Sequence, residues 1–187
     1  LILASGNGSN AENIIKYFRK KNLEIDWVII TNNQNAGVLE RSKKLKVPYL
    51  IFNKQQFNDH SVLSVFEEIK PSLIILAGFL LKISESILEK FSNKIINIHP
   101  SLLPKFGGKG MYGMNVHEKV VENFEKESGI TIHFVNKNYD EGKIIFQKKI
   151  PIKYPCSSEY LAKQIHKLEM HFFPLIIEKL IKSFDYE

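Results

Sequence analysis

The sequence predicts an α/β fold in which helices cover both faces of a mostly parallel central sheet. Two observations lead to this prediction. Through the first half of the 187-residue chain, five short apolar segments alternate with amphipathic helical segments, as in a parallel sheet that is buried on both faces. The second half changes to two alternating strands and a long helix, so we expect the sheet to be mixed at its C-terminal part.

The first strand is predicted over residues 1–6, "LILASG", and the first helix over 10–22, where Ile14, Tyr17 and Phe18 recur at helical spacing. The other elements of this half follow in alternation. Further strands are predicted over residues 25–32, 47–52, 71–79 and 94–99, and the helices between them over 36–46, 59–70 and 84–92. This alternation is typical of a Rossmann-like, doubly wound sheet.

After Pro100 the pattern changes to a loop rich in glycine and proline. The later elements are a loop over 100–113, a helix over 114–124, strands over 129–136 and 143–152, and a closing helix over 157–184 that Pro174 can kink. The chain shows no repeat, no low-complexity tract and no linker. We therefore predict one domain over 1–187.

The net charge of +6 comes almost entirely from lysine, since Arg19 and Arg41 are the only arginines. Nucleic-acid readers concentrate arginine and lysine on one face, whereas these lysines are scattered, so no nucleic-acid partner is expected. They can be solvated surface, or their field can favour an anionic small substrate. No apolar run approaches the roughly 20 residues of a membrane span, so no membrane partner is expected.

Cys156 is the only cysteine, which excludes a disulfide framework within the chain and suits a reducing cytoplasm. We therefore expect a cytoplasmic location. A catalytic thiol would need a nearby base, and none is evident in "YPCSSEY". Cys156 is interpreted as a turn residue.

The stretch "IINIHPSLLPKF" at residues 95–106 places polar side chains at the end of a buried strand. In a strand, Asn97 and His99 share one face, while Ile96 and Ile98 take the other and can anchor it in the core. Pro100 disfavours helical geometry at His99, and ligands of parallel sheets bind beyond the carboxyl ends of the strands. From the residues alone, a presented pair and two satisfied polar groups are equally good interpretations.

The stretch "SGNGSN" at residues 5–10 connects the first strand to the first helix. Gly6 and Gly8 let the backbone approach an anion, and Ser9 or Asn10 can cap the helix, so free N–H groups and the helix dipole can face a phosphate. A dinucleotide site and a plain tight turn explain the glycines equally well. Ala11 stands where the third glycine of a dinucleotide motif would be, and the second strand ends without an acidic residue, which counts against a nicotinamide site.

Three motifs together resemble one enzyme family. "NIHPSLLPKF" at 97–106 and "YDEG" at 139–142 after the strand "GITIHFV" resemble the signature of folate-dependent formyltransferases. "SGNGSN" resembles the phosphate loop of the branch that acts in purine biosynthesis. The resemblance implies transfer of a formyl group from the co-substrate 10-formyltetrahydrofolate to the amine of glycinamide ribonucleotide, with no metal.

The resemblance assigns catalysis to Asn97, His99 and Asp140. Attack of the amine on the formyl carbon creates an oxyanion, which N–H groups of Asn97 and His99 can stabilise. His99 can transfer a proton near neutral pH, and Asp140 can hold the protonated His99 or position a water. By composition alone, "NYDEG" is a good turn in which Asp140 is a cap; the resemblance favours the catalytic role.

The resemblance also implies that the N-terminal half of the domain binds the nucleotide phosphate and that the C-terminal half carries the catalytic loop and the folate site. Gly8, Ser9 and Asn10 would bind that phosphate, Glu169 would contact the ribose hydroxyls, and His133 would lie close to the site. A core histidine and a solvated or ion-paired glutamate are the alternatives for the last two. Glu169 lies on a helical stripe with His166, to which we assign no role.

The folate is expected along residues 75–83 and the 138–142 loop. The candidate contacts are Phe79, Leu80, Leu81, Ile83, Tyr139 and Glu141. Leu81 stands where related enzymes often have an arginine, so Lys82 must compensate if that arginine steers the glutamate tail. The loop over 106–117 is longer than the common family form, which leaves the role of Lys109 open between substrate contact and solvation.

Two rival interpretations remain. Methionyl-tRNA formyltransferase and formyltetrahydrofolate hydrolase carry an additional domain after or before the catalytic one, and the length of the chain counts against both. A non-catalytic Rossmann-like binding module would explain the fold and the glycine turn, but not Asn97, His99 and Asp140 together. The partners are therefore expected to be small molecules, and a homodimer is one candidate assembly.

Overall fold

The computed structural model describes residues 1–58 and 61–184, which form a seven-stranded sheet with flanking helices. The strands are β1 Ile2–Leu3, β2 Ile29–Thr31, β3 Tyr49–Ile51, β4 Ile74–Leu76, β5 Ile95–His99, β6 Glu127–Phe134 and β7 Ile144–Pro151. The helices are α1 Ser9–Lys20, α2 Gly37–Leu45, α3 Lys54–Asn58, α4 Ser61–Ile69, α5 Glu85–Lys90, α6 Met114–Glu122 and α7 Ser158–Phe184.

The sheet has the order β3-β2-β1-β4-β5-β6-β7. Strands β1 to β5 pair in parallel, and β6 and β7 add in antiparallel orientation. The prediction of a mostly parallel, Rossmann-like sheet that is mixed at its C-terminal part is therefore confirmed. The register of β5 and β6 sets Asn97 opposite His133 and His99 opposite Thr131, which brings polar residues from distant parts of the chain side by side.

Helix α3 is absent from the sequence prediction, although the sequence carries its signal. The Asn53 side chain accepts a hydrogen bond from the Gln56 N–H at 3.0 Å, and the Gln56 side chain accepts one from the Asn53 N–H at 2.8 Å. This reciprocal pair is a capping box, which starts a helix. Residues 59 and 60 of the helix predicted over 59–70 lie outside the described residues, and Pro174 lies within α7.

Alternate residues of β5 enter two different core clusters. Ile96 and Ile98 pack in one cluster with Ile14 of α1, whereas Ile95 packs in the other with Phe66 of α4. Because side chains alternate along a strand, Asn97 lies on the face of Ile95. The prediction that Ile96 and Ile98 anchor this strand in the core is confirmed.

A buried carboxylate joins α1 to α7. Glu178 accepts hydrogen bonds from the hydroxyl of Tyr17 at 2.5 Å and from the ammonium groups of Lys21 at 2.6 Å and Lys182 at 2.8 Å. The hydrogen bonds from Lys182, Lys21 and Tyr17 lower the pKa of Glu178 from 4.5 to about 2. The charged form of this carboxylate therefore stabilises the folded state.

We expect Glu178→Gln to reduce stability at neutral pH and to make it less sensitive to acid. Because the folded pKa is lowered, the contribution of Glu178 is fully present above pH 4.5 and is lost as the pH falls towards 2. Denaturant midpoints measured between pH 7 and pH 3 should therefore converge for the wild type and the variant. An equal gap at all pH values would contradict this, and Glu89→Gln, at an exposed position of α5, is the matched control.

No helix within the described residues has the length and apolar character needed to cross a membrane.

Candidate active site

A cavity of about 680 Å³ lies beside the carboxyl ends of β4 and β5. Its walls are the segment 78–83 after β4, the segment 108–114 after β5, the loop between β6 and β7, and one side of α7. In open α/β sheets, ligands bind at this position. The cavity is large enough for a small-molecule ligand.

One wall of the cavity holds four polar side chains from three separate segments: Asn97 and His99 of β5, His133 of β6, and Asp140 of the β6–β7 loop. The Asp140 carboxylate lies between the two imidazoles, with Oδ2 at 3.5 Å from His99 Nδ1 and Oδ1 at 3.6 Å from His133 Nε2. Asn97 Nδ2 lies 3.2 Å from His133 Nε2. We call these four residues the reaction cluster.

The backbone around His99 determines where its proton lies. His99 Nε2 is 2.8 Å from the carbonyl oxygen of Phe106, and a carbonyl only accepts, so Nε2 carries a proton. Nδ1 is therefore the nitrogen that gains and loses a proton, and it is the one that faces Asp140. A carboxylate there favours the protonated, doubly donating imidazolium.

His133 is oriented in a similar way. Its Nδ1 donates to the carbonyl oxygen of Phe134 at 2.8 Å, so the neutral ring accepts at Nε2. The partner there is the Asn97 amide nitrogen, which means that this amide donates one N–H to His133 and keeps its second N–H available. His133 therefore orients Asn97.

Asp140 is held by the segment that follows β5. Gly108 donates its backbone N–H to Asp140 Oδ2 at 2.9 Å, and Asp140 adopts the left-handed conformation with φ +58°. Burial alone would raise the pKa of Asp140, but on balance it is lowered by His133, which donates from Nε2 when its ring is protonated, by the charge of His99 and by the Gly108 N–H. For His99, burial outweighs the charge of Asp140 and lowers the pKa below 6.5.

The glycine turn of residues 5–8 leads into α1, whose N-cap is Gly8 with φ +76°. The expectation that Ser9 or Asn10 caps this helix is wrong, because both lie within the helix and no side chain caps it. Arg41 braces the turn by donating to the Asn7 carbonyl at 2.7 Å. Asn10 lines the cavity, while Gly8 and Ser9 lie outside its lining.

Gly8→Ala should destabilise the protein by about 2–4 kcal/mol. A Cβ at Gly8 would lie 2.4 Å from Val38 Cγ2, and φ is +76°, so overpacking adds to left-handed strain. Urea denaturation measures the effect. Gly6→Ala is the matched control, since a Cβ at Gly6 meets nothing within 4 Å, and equal losses in the two variants would contradict the prediction.

At another wall of the cavity, α1 meets α7 through Glu169. Glu169 Oε2 accepts from Asn10 Nδ2 at 3.0 Å and lies 3.2 Å from His166 Nδ1. The hydrogen bond to Glu169 raises the pKa of His166, which favours a charged imidazole at this end. The cavity therefore has a reaction cluster at one position and a polar pair, Asn10 and Glu169, at another.

The segment after β4 gives the cavity an apolar wall. Most of the candidate folate contacts line it: Phe79, Leu80, Leu81, Ile83 and Tyr139. Lys82 also lines it, with its ammonium 5.8 Å from the ring centroid of Tyr139. Glu141 lies outside the lining, and its carboxylate accepts from Asn138 Nδ2 at 2.6 Å.

The sequence predicts no role for several lining residues, notably His117, His166 and Tyr112, and it leaves open the role of Lys109, which also lines the cavity. The sequence does carry a signal for His166, because it stands three residues before Glu169 and therefore shares a face of the predicted closing helix with it. No comparable signal marks the segment 108–114, because its shape depends on contacts such as the one between Gly108 and Asp140. Among the described residues, no group of three or more His, Cys, Asp or Glu side chains is placed to hold a metal ion.

Residues 1–177 match the family model described as formyl transferase. The phosphoribosylglycinamide formyltransferase of Bacillus subtilis (strain 168) is 33% identical over 96% of this chain and 93% of its own length. The chloroplastic phosphoribosylglycinamide formyltransferase of Vigna unguiculata is 33% identical over 97% of this chain, which spans 60% of that relative's length. A crystal structure of phosphoribosylglycinamide formyltransferase from Anaplasma phagocytophilum superposes with a TM-score of 0.84 at 32% identity, covering 94% of this chain and 83% of that one. The chain therefore belongs to the formyl transferase family.

Proposed function

We propose that the protein transfers the formyl group of 10-formyltetrahydrofolate to the amine of glycinamide ribonucleotide, a step of de novo purine biosynthesis. The observation that carries this proposal is the convergence of Asn97, His99 and Asp140 on a cavity that also holds Asn10 and Glu169. The names of the relatives support the same reaction. The whole chain acts as one catalytic domain in this proposal.

In this reaction the amine forms a bond to the formyl carbon, the bond from that carbon to the folate nitrogen breaks, and one proton moves from the amine to the folate nitrogen. The formyl oxygen gains negative charge as the amine attacks. In this proposal the free N–H of Asn97, which His133 orients, donates to that oxygen. Loss of one such donor typically costs about 10²–10³ in rate.

His99 Nδ1 is the group that transfers the proton, because Nε2 stays hydrogen-bonded to the carbonyl oxygen of Phe106. It takes a proton from the attacking amine and returns it to the leaving nitrogen. Asp140 faces Nδ1 and stabilises the imidazolium that forms in between. No covalent bond to the protein is needed.

The nucleotide is proposed to extend from the reaction cluster towards α1 and α7. Glu169, oriented by Asn10 and His166, can accept hydrogen bonds from ribose hydroxyls. The phosphate then reaches the glycine turn, where Gly8, Ser9 and Asn10 begin α1 and its N-terminal dipole favours an anion. The charged form of His166 adds a cation near this end.

The folate is proposed to lie against the apolar wall. Four apolar side chains can pack on its ring system: Phe79, Leu80, Leu81 and Ile83. An apolar wall of this kind suits a flat heterocycle. Tyr139 lines the same cavity, and Lys82, which also lines it, is proposed to hold the glutamate tail in place of the arginine that Leu81 replaces. Glu141, which bonds Asn138, would need to turn to reach this ligand.

The experiment mixes the purified protein with glycinamide ribonucleotide and 10-formyltetrahydrofolate. We expect loss of the formyl-folate absorbance together with a formylated ribonucleotide in the mass spectrum. Loss of the absorbance without the acceptor would favour formyl-folate hydrolysis instead. No change in either signal would contradict an enzymatic role and favour a binding module.

A homodimer and a cytoplasmic location stay proposals. Sedimentation velocity at two protein concentrations tests the dimer, since a monomer at both would exclude it under those conditions. The location rests on Cys156 as the only cysteine, and fractionation of the host cell tests it.

A further inference from the structure

One histidine that lines the cavity has no role in the mechanism above. His117 lies on α6 and is 6% exposed, and its ring lines the cavity. Its Nδ1 is fully buried and has no hydrogen-bond partner among the described residues. Buried polar atoms without partners are uncommon and cost about 1–3 kcal/mol. A functional use of the other ring nitrogen, Nε2, would explain why a histidine occupies this buried position.

His117 lines the same cavity as Glu169 and His99, one from each of its two polar parts. The charges of both groups act on its imidazole. Glu169 is proposed to hold the ribose, and His99 acts at the amine. His117 is therefore placed beside the part of the substrate that joins these two groups.

The protonation of His117 follows from its surroundings. Burial is the largest influence on its pKa and lowers it below 6.5, with Glu169 opposing and His99 adding to the effect, so the ring is neutral at neutral pH. Nδ1 has no acceptor, which favours the tautomer with the proton on Nε2. Because Nδ1 is buried, the edge that carries Nε2 is the one that can reach the cavity. His117 thus offers a neutral N–H donor.

We propose that His117 Nε2–H donates a hydrogen bond to the amide carbonyl oxygen of the glycinamide group. The inference rests on the proposed function. Of the two polar groups in that linker, only the carbonyl can accept, since the amide nitrogen is a donor. His117 is a positioning residue: it holds the linker equally in the ground state and the transition state, and it favours acceptors with a carbonyl at this place.

The test compares three variants. His117→Phe keeps a ring and removes both nitrogens, and His117→Asn carries an amide only at the buried Nδ1 edge. In each, we expect the KM for glycinamide ribonucleotide to rise about 3- to 10-fold, as expected for one hydrogen bond, with kcat and the KM for the folate nearly unchanged. His117→Gln places an amide N–H near the position of Nε2 and should restore most of the affinity.

Two controls separate this inference from the proposed function. Glu118→Gln changes the exposed neighbour on α6, which lies outside the cavity lining, and should leave both KM values unchanged. An inactive wild type would contradict the proposed function itself. An active wild type with an unchanged KM in His117→Phe and His117→Asn, or with a loss confined to kcat, would overturn only the role of His117.

Discussion

Asp140→Asn is expected to lower kcat by about 10²–10⁴, the range of acid–base assistance, while the protein stays folded. Asparagine keeps the shape of the side chain, and its oxygen can still accept the Gly108 N–H that now bonds Oδ2 at 2.9 Å. It carries no charge to stabilise a proton on His99 Nδ1, which lies 3.5 Å from Oδ2. Steady-state kinetics and a denaturant midpoint separate the two effects.

The same substitution should shift the pH profile in a defined direction. Asp140 raises the pKa of His99 against the larger effect of burial, so its removal lowers that pKa further. The limb of the rate profile that reports His99 should therefore move to lower pH. Glu122→Gln, which removes a carboxylate from the exposed end of α6, is the control for lost charge. A near-normal kcat in Asp140→Asn would remove Asp140 from the mechanism.

Asp140 also links stability to pH. Its pKa is lowered in the folded state, so its contribution is present above the unfolded value near 3.8 and is lost as the pH falls below it. The wild type should lose this contribution to the free energy of unfolding in acid, whereas Asp140→Asn lacks it at every pH. A denaturant midpoint measured against pH therefore tests Asp140 independently of turnover.

The strand pattern was sufficient to predict the geometry of β5. Ile96 and Ile98 are apolar and alternate with polar residues, so the side chains that face the core and the cavity follow from period-two alternation. Pro100 then ends the strand at His99. Both features depend only on neighbouring residues, so a single sequence is sufficient to predict them.

The partners of these side chains could not be predicted, because they depend on long-range pairing. The contact of Asn97 with His133 requires the antiparallel register of β5 and β6, and the proton on His99 Nε2 depends on the Phe106 carbonyl. His117 was hidden for another reason: it lies between Val116 and Val120 on the buried side of α6. By spacing alone, such a residue is a core histidine.

His99→Ala should lower kcat by about 10²–10⁴, and added imidazole should restore part of it. The substitution removes the ring whose Nδ1 lies 3.5 Å from Asp140 Oδ2 and carries the proton in the proposed mechanism. It also leaves a ring-sized space, because the His99 side chain is almost fully buried. Imidazole that binds there can donate to the Phe106 carbonyl and face Asp140, as the native ring does.

The rescue distinguishes a chemical role from a structural one. The Phe106 carbonyl loses its donor in His99→Ala, which alone can cost about 1–3 kcal/mol of stability, so a lower kcat by itself would be ambiguous. Rescue that rises with the neutral fraction of imidazole would show that a proton acceptor has been replaced. His171→Ala, at an exposed position of α7, should keep normal turnover and show no response to imidazole. Full activity in His99→Ala, or equal stimulation of both variants, would contradict proton transfer by His99, since a group that only shapes the cavity does not need a titratable nitrogen.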